Sequence, residues 1–309
     1  MTSAHFTRER TPDRPGPGPL PEALLRALDL KIARRIDGLL TGEHRTAAVG
    51  VGTELAQIRE WEPGDDVRRI DWNATARSNQ VQVRVDVAER ALTSWVLLDV
   101  SPSMRFGTAD RRKWDVAEGV AVAMGHLASR RGNRIGVATF GGNPPLTLRP
   151  RQGRVGLLGV LLAVRREPET ERVGRTSIGA ALTQVARVAQ QRSLAVVVSD
   201  FRGPRDWRSA LLQLASRHAV VAVEIRDPRE QELPNVGHIW LVDPETGRKL
   251  HVDTGRRRLR ERFAETAAEE RAGLARELAS LGVPHLVLST GGDWLRQFAA
   301  FVGRERRRR

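Results

Sequence analysis

Short apolar runs alternate with amphipathic stretches through most of this chain. "SWVLLDV" (94–100), "RIGVATF" (134–140), "LAVVVSD" (194–200) and "AVVAVEIRD" (219–227) read as strands, and their apolar cores predict burial on both faces. Between and after them, apolar positions recur at helical spacing. This predicts helices near 113–130, 153–166, 177–191, 206–217, about 255–281 and 293–303. A short edge strand "PLTLRP" (145–150) follows "RIGVATF". A hairpin "HIWLVDPETGRKLHVDT" (238–254) turns at 244–247, and "HLVLST" (285–290) supplies a last strand. Strand and helix in turn predict an α/β fold, with a doubly wound, mostly parallel sheet and helices on both faces.

The pattern before residue 91 is different. Residues 1–20 are polar and Pro-rich, and disorder is expected there. A helix is expected at 21–40, with Leu24, Leu25, Leu28 and Ile32 on one face. "TAAVGVGTELAQIREW" (46–61) has no clean period. In "WEPGDDVRRIDW" (61–72), Pro63-Gly64 makes a turn and Asp66 caps a short helix carrying Val67 and Ile70. Val81, Val83, Val85 and Val87 alternate with polar residues, as in a half-buried strand. The expected organisation is a Pro-rich segment 1–20, a smaller N-terminal region with β structure at 21–90, an α/β domain at 91–303 and a basic tail at 304–309.

Composition narrows the function classes. The 309 residues include no Cys, which excludes disulfides, thiolate nucleophiles and Cys-bound metals. The longest apolar stretch, 155–164, is too short to span a bilayer, and the N-terminus has no apolar signal core. A cytoplasmic chain without a membrane span is expected. The formal net charge of +14 favours acidic partners. The excess of Arg over Lys also matches the coding bias of a high-GC genome, and only "RERRRR" (304–309) forms a block. With no Tyr and seven Phe, stacking platforms are scarce, and nucleic acid is a disfavoured partner.

The chemistry gathers where strands end. "SWVLL" stops in Asp99, followed at alternate positions by Ser101 and Ser103, and "LAVVVS" stops in Asp200. A loop opening the helix "SIGAAL" carries Thr176. The carboxyl ends of parallel strands are where sites form in such sheets. These five residues offer oxygen alone, the donor set of a hard cation such as Mg²⁺. Two carboxylates brought close would repel without a cation between them. The competing reading for Asp99 and Ser103 alone is local turn capping.

"DVSPS", the Thr of "RTSIGAAL" and the Asp of "VVSDF" resemble the metal-ion-dependent adhesion site of von Willebrand factor A domains. A wider stretch, from "GTELAQIREWEPGDDVRRIDWNATARSNQVQVRVDVAER" into "DVSPSM", with "IRDPREQELPNVGHIWLVDPETGRKLHVDT", resembles the domain-of-unknown-function 58 family. The first resemblance implies a von Willebrand A-type fold. Its metal would be Mg²⁺ (or Mn²⁺ or Ca²⁺), held by Asp99, Ser101, Ser103 and Thr176, with Asp200 acting through water, and a partner's carboxylate would complete the shell. The second implies a bacterial, chaperone-like adaptor working with a MoxR-type AAA+ ATPase or its client protein. No catalysis is expected.

Arg105 and Arg202 near the site, and the acidic cluster Asp65, Asp66 and Asp71, are candidate partner-binding residues. For the acidic cluster, a turn and cap with Asp65 or Asp71 paired to Arg68 or Arg69 is the simpler reading. Trp61 and Trp72 read as core anchors. Two other functions stay open: a metal-dependent phosphoester hydrolase and a basic nucleic-acid binder. The seven His residues form no H-E-x-x-H pair, and neither a G-x-S-x-G elbow nor a G-x-x-x-x-G-K-[ST] loop is present.

Overall fold

The computed structural model describes residues 16–21, 49–87, 93–130, 133–142, 144–165, 177–243 and 247–304. The expected helix at 21–40, Thr176, the hairpin turn at 244–246 and most of the terminal Arg block lie outside the described residues. Two compact units are present: Gly38–Ala91, and Met1–Asp37 together with Leu92–Arg309.

The larger unit is built on six strands: β3 (Thr93–Asp99), β4 (Arg134–Phe140), β5 (Thr147–Gln152), β6 (Leu194–Ser199), β7 (Ala219–Arg226) and β10 (His285–Ser289). Their order is β10-β7-β6-β3-β4-β5, parallel throughout except for the antiparallel edge strand β5. This is the mixed, doubly wound architecture expected from the von Willebrand A resemblance. Ser94 through Asp99 of β3 are all buried, because the strand has neighbours on both edges and helices over both faces. Leu97 and Leu98, whose side chains leave opposite faces, are fully closed off from water. Each such burial contributes about 2 kcal/mol.

On one face, Trp95, Leu97 and Val197 pack with Leu182 and Val185 of α4 (Ile178–Val188). Trp207, Leu211 and Leu214 of α5 (Trp207–Arg217) and Leu278 of α6 (Arg257–Ser280) join the same core. The opposite face carries α2 (Lys113–Arg130), α3 (Gly153–Val164) and α7 (Trp294–Arg304). Gly125 of α2 meets Leu157 and Val160 of α3, and Gly119 lies against the Trp294 ring, so these helices approach closely. The Pro17 carbonyl accepts hydrogen bonds from Trp294 Nε1 (2.9 Å) and Arg111 Nη1 (3.1 Å). Strands β8 (His238–Val242) and β9 (Lys249–Asp253) form the expected hairpin.

The smaller unit contains a strand that the hydrophobic pattern does not reveal. β1 (Val49–Glu60) pairs antiparallel with β2 (Gln82–Val87). Register shifts between Val49 and Glu54 and between Leu55 and Gln57 break the two-residue alternation. Asp66 caps a 3-10 turn (Val67–Arg69) through the Arg68 N–H, as expected. The expected pairing of Asp65 or Asp71 to Arg68 or Arg69 is corrected. Asp65 takes a two-point ion pair from Arg59 (2.7 and 2.8 Å), and Asp71 pairs with Arg84 (2.8 Å). Asp71 also caps α1 (Trp72–Ser78) by accepting from the Asn73 and Ala74 N–H groups. Trp72 is no core anchor: at the first position of that helix it is 69% exposed.

Candidate metal centre

β3 and β6 are neighbours, and from β3 the chain proceeds outward in both directions, to β4 on one side and β6 on the other. Their carboxyl ends therefore stand at the switch point of the sheet. Asp99 closes β3 and Asp200 follows β6, and both are buried. After Asp99 the chain turns at once. Asp99 Oδ1 accepts from the Ser101 N–H (2.9 Å), and Pro102–Arg105 form a 3-10 turn. That turn brings Ser101 Oγ and Ser103 Oγ to 3.1 Å from each other. Gly141 lies behind the turn at φ +83°. A Cβ there would come within 2.8 Å of the Ser101 nitrogen and 2.9 Å of Asp99 Oδ1.

Asp200 is reached from the other side. Phe201 adopts φ +53°, a conformation uncommon for a bulky residue, and bends the chain sharply away from β6. The Arg202 N–H donates to Asp200 Oδ1 (3.0 Å). Ser103 also hydrogen-bonds to the Asp200 carboxylate. Asp99, Ser101, Ser103 and Asp200 are thus brought together, while Thr176 lies outside the described residues. Arg105 ends the 3-10 turn, and Arg202 is half exposed with Nε 3.6 Å from Glu230 Oε1. Asp65, Asp66 and Asp71 belong to the smaller unit, where capping and ion pairs engage them.

Sequence reasoning missed the cation already there. Lys113, the first residue of α2, is fully buried, and its Nζ donates to Asp200 Oδ2 (2.6 Å) and Glu230 Oε1 (2.7 Å). Burial alone would lower the pKa of this ammonium, but the two carboxylates outweigh it and raise the pKa above 10.5. In the sequence Lys113 follows Arg111 and Arg112 and reads as one more surface cation. Glu230 carried a better signal. "DPRE" (227–230) has capping-box spacing, and in the structure the Asp227 N–H donates to Glu230 Oε2 (3.3 Å).

Asp227 extends the network along the sheet edge. It accepts from the backbone and side chain of Thr108, from Thr290 Oγ1 at the end of β10 and from the Arg229 N–H. A cavity of about 330 Å³ reaches Asp200 and Glu230 beside α6, and Arg202, Arg205, Arg226 and Arg271 are among its lining residues.

Charge divides unevenly over this centre. Burial chiefly, and Asp200 secondarily, push the Asp99 carboxyl up to about 7. Burial also works against ionisation of Asp200, but Lys113 prevails and holds its pKa below the ordinary 3.8. Asp99 receives the Ser199 hydroxyl (2.6 Å) as well as the Ser101 N–H, but both donors are neutral. A buried carboxylate short of positive charge, flanked by two hydroxyl oxygens, fits a hard cation. Among the described residues no three His, Cys, Asp or Glu side chains are placed to share a metal ion, so such a centre depends on the serine hydroxyls.

A family model described as "Protein of unknown function DUF58" matches residues 57–273. The uncharacterized protein Rv1480 of Mycobacterium tuberculosis is 39% identical over 287 residues, covering 92% of this chain and 90% of that protein. An uncharacterized protein in the moxR 3' region of Paracoccus denitrificans is 37% identical over 95 residues, 30% of this chain and 90% of its own length. Among solved structures, the conserved hypothetical protein BatB from Bacteroides thetaiotaomicron superposes with a TM-score of 0.47 at 15% identity. The superposition covers 69% of this chain and 97% of that one.

Proposed function

This chain belongs to the DUF58 family, and we propose that it is a non-enzymatic, metal-dependent protein-interaction module. The observation that carries this reading is Asp99: a buried carboxylate beside Ser101 and Ser103, with no cationic side chain paired to it among the described residues. Asp99, Ser101 and Ser103 would hold the ion, with Thr176 completing the chain's own contribution. Once bound, Mg²⁺ supplies a Lewis-acidic charge with room for one more oxygen, which suits a carboxylate of an acidic partner.

The residues around the centre give it a fixed shape. Gly141 leaves space for the turn, and Lys113 offsets part of the charge of Asp200 and Glu230, so the centre does not need a metal to balance every charge. The chain's positive net charge would assist the approach of an acidic partner. A MoxR-type AAA+ ATPase or its client is the proposed partner, supported by the relative named for the moxR 3' region.

The test is co-purification of the chain with the MoxR-type ATPase of the same genome. It compares the intact sequence with Asp99→Ala, each with Mg²⁺ and with chelator. Retention only for the intact sequence with Mg²⁺ is expected. Equal retention in every arm would defeat the metal-dependent reading.

A further inference from the structure

Helix α3 is apolar on the side that faces the protein and also on the side that faces away. Gly156, Val160, Ala163 and Val164 are buried against the sheet and α2. On the outward side Val155 is 62% exposed, Leu158 55%, Leu161 38% and Leu162 55%. At about 100° per residue, Val155, Leu158 and Leu162 fall on one stripe with Leu161 at its border. Scattered exposed leucines are ordinary, but a contiguous outward stripe on one short helix calls for an apolar environment.

The surrounding charge says which environment. Residues 119–166 contain eight Arg and no Asp, Glu or Lys. Arg151 of the edge strand β5, which pairs with the α3-facing Ile135, Arg154 in the first turn of α3 and Arg165 just past its end are all exposed. Among the described residues of α3 and β5 the face thus offers aliphatic side chains beside guanidinium groups, with no acid. Among the same described residues it also lacks the Trp, Tyr or Phe anchors that usually fix the register of a protein partner. A partner that supplies phosphates over hydrocarbon, and no particular shape, matches this chemistry.

We propose that the face formed by α3 and β5 docks on an anionic phospholipid surface. The stripe Val155, Leu158 and Leu162 enters the acyl boundary while Arg151, Arg154 and Arg165 engage headgroup phosphates. This is surface attachment: among the described residues no helix is long and apolar enough to cross a membrane. It is independent of the metal centre.

The experiment is flotation of the full chain with vesicles of phosphatidylcholine alone or mixed with phosphatidylglycerol, at low and high salt. Binding is expected only to the mixed vesicles, and weaker in high salt. Leu158→Gln with Leu162→Gln should lower it, and so should Arg151→Gln with Arg154→Gln, each by about tenfold or more. Arg258→Gln with Arg262→Gln, exposed positions on α6, removes equal charge and should leave binding intact. Circular dichroism of each variant checks the fold. Absence of flotation, or flotation unchanged by the α3 and β5 substitutions, would overturn the proposal. A dimer in solution that Leu158→Gln with Leu162→Gln dissolves would assign the face to a second copy instead.

Discussion

Lys113 Nζ lies 2.6 Å from Asp200 Oδ2, and both side chains are sealed from solvent. A helix on one face of the sheet thereby delivers a permanent cation to the carboxyl end of β6. A divalent ion at Asp99, as proposed, would share its electrostatic surroundings with this ammonium, and the two cations would compete for Asp200.

Lys113→Met leaves Asp200 buried without its counter-charge and takes from the partly buried Glu230 its nearer cation. In chelator the variant should lose about 3–5 kcal/mol of stability, read by urea unfolding. Mg²⁺ should restore more stability to the variant than it adds to the intact chain, because Asp200 becomes available to the ion. An identical Mg²⁺ response in both would contradict the competition.

Asp99 sets a pH dependence of known sign. Its folded value, about 7, lies above the ordinary 3.8, so the folded chain keeps a proton that the unfolded chain has released. Stability from this group is full below the ordinary value and disappears as pH climbs towards 7. Measured in chelator against Asp99→Asn, the intact chain should lose on the order of a few kcal/mol across that interval. Mg²⁺ should flatten the difference for the intact chain and have little effect on Asp99→Asn.

Gly141→Ala and Gly153→Ala both place a side chain on left-handed backbone, at φ +83° and +58°. Each should cost about 1–2 kcal/mol on that ground. Nothing lies near the Gly153 position, whereas at Gly141 the new Cβ meets the Asp99–Ser101 turn. Gly141→Ala should therefore destabilise more and weaken Mg²⁺ binding by calorimetry, while Gly153→Ala leaves it unchanged.

Asp227 behaves oppositely to Asp99. Burial pushes its carboxyl up, but hydrogen bonds from Thr108, Thr290 and Arg229 prevail and hold it below 3.8. Its contribution is present above the ordinary value and is lost as pH falls through the folded one. Asp227→Asn should cost about 1–3 kcal/mol at neutral pH, with the gap narrowing in acid. A gap that does not vary with pH would show that charge on Asp227 is irrelevant.

The parallel sheet was legible because β3 and β6 are buried on both faces, which leaves continuous apolar runs ending in an aspartate. Ser101 and Ser103 were legible because their spacing after Asp99 is local. Lys113 was not, since the carboxylates that make its burial tolerable come from positions 200 and 230. β1 was hidden by its irregular register, and the partners of Asp65 and Asp71 by strand pairing that brings Arg59 and Arg84 near them.

The staple from Pro17 to Trp294 and Arg111 has a topological consequence. Chain on both sides of the unit Gly38–Ala91 belongs to one folded body, so that unit is an insertion rather than a leading domain. An early stretch of polypeptide is knitted to the last helix before the sheet proper begins. Residue 17 therefore meets its final neighbours only after residue 294 has left the ribosome.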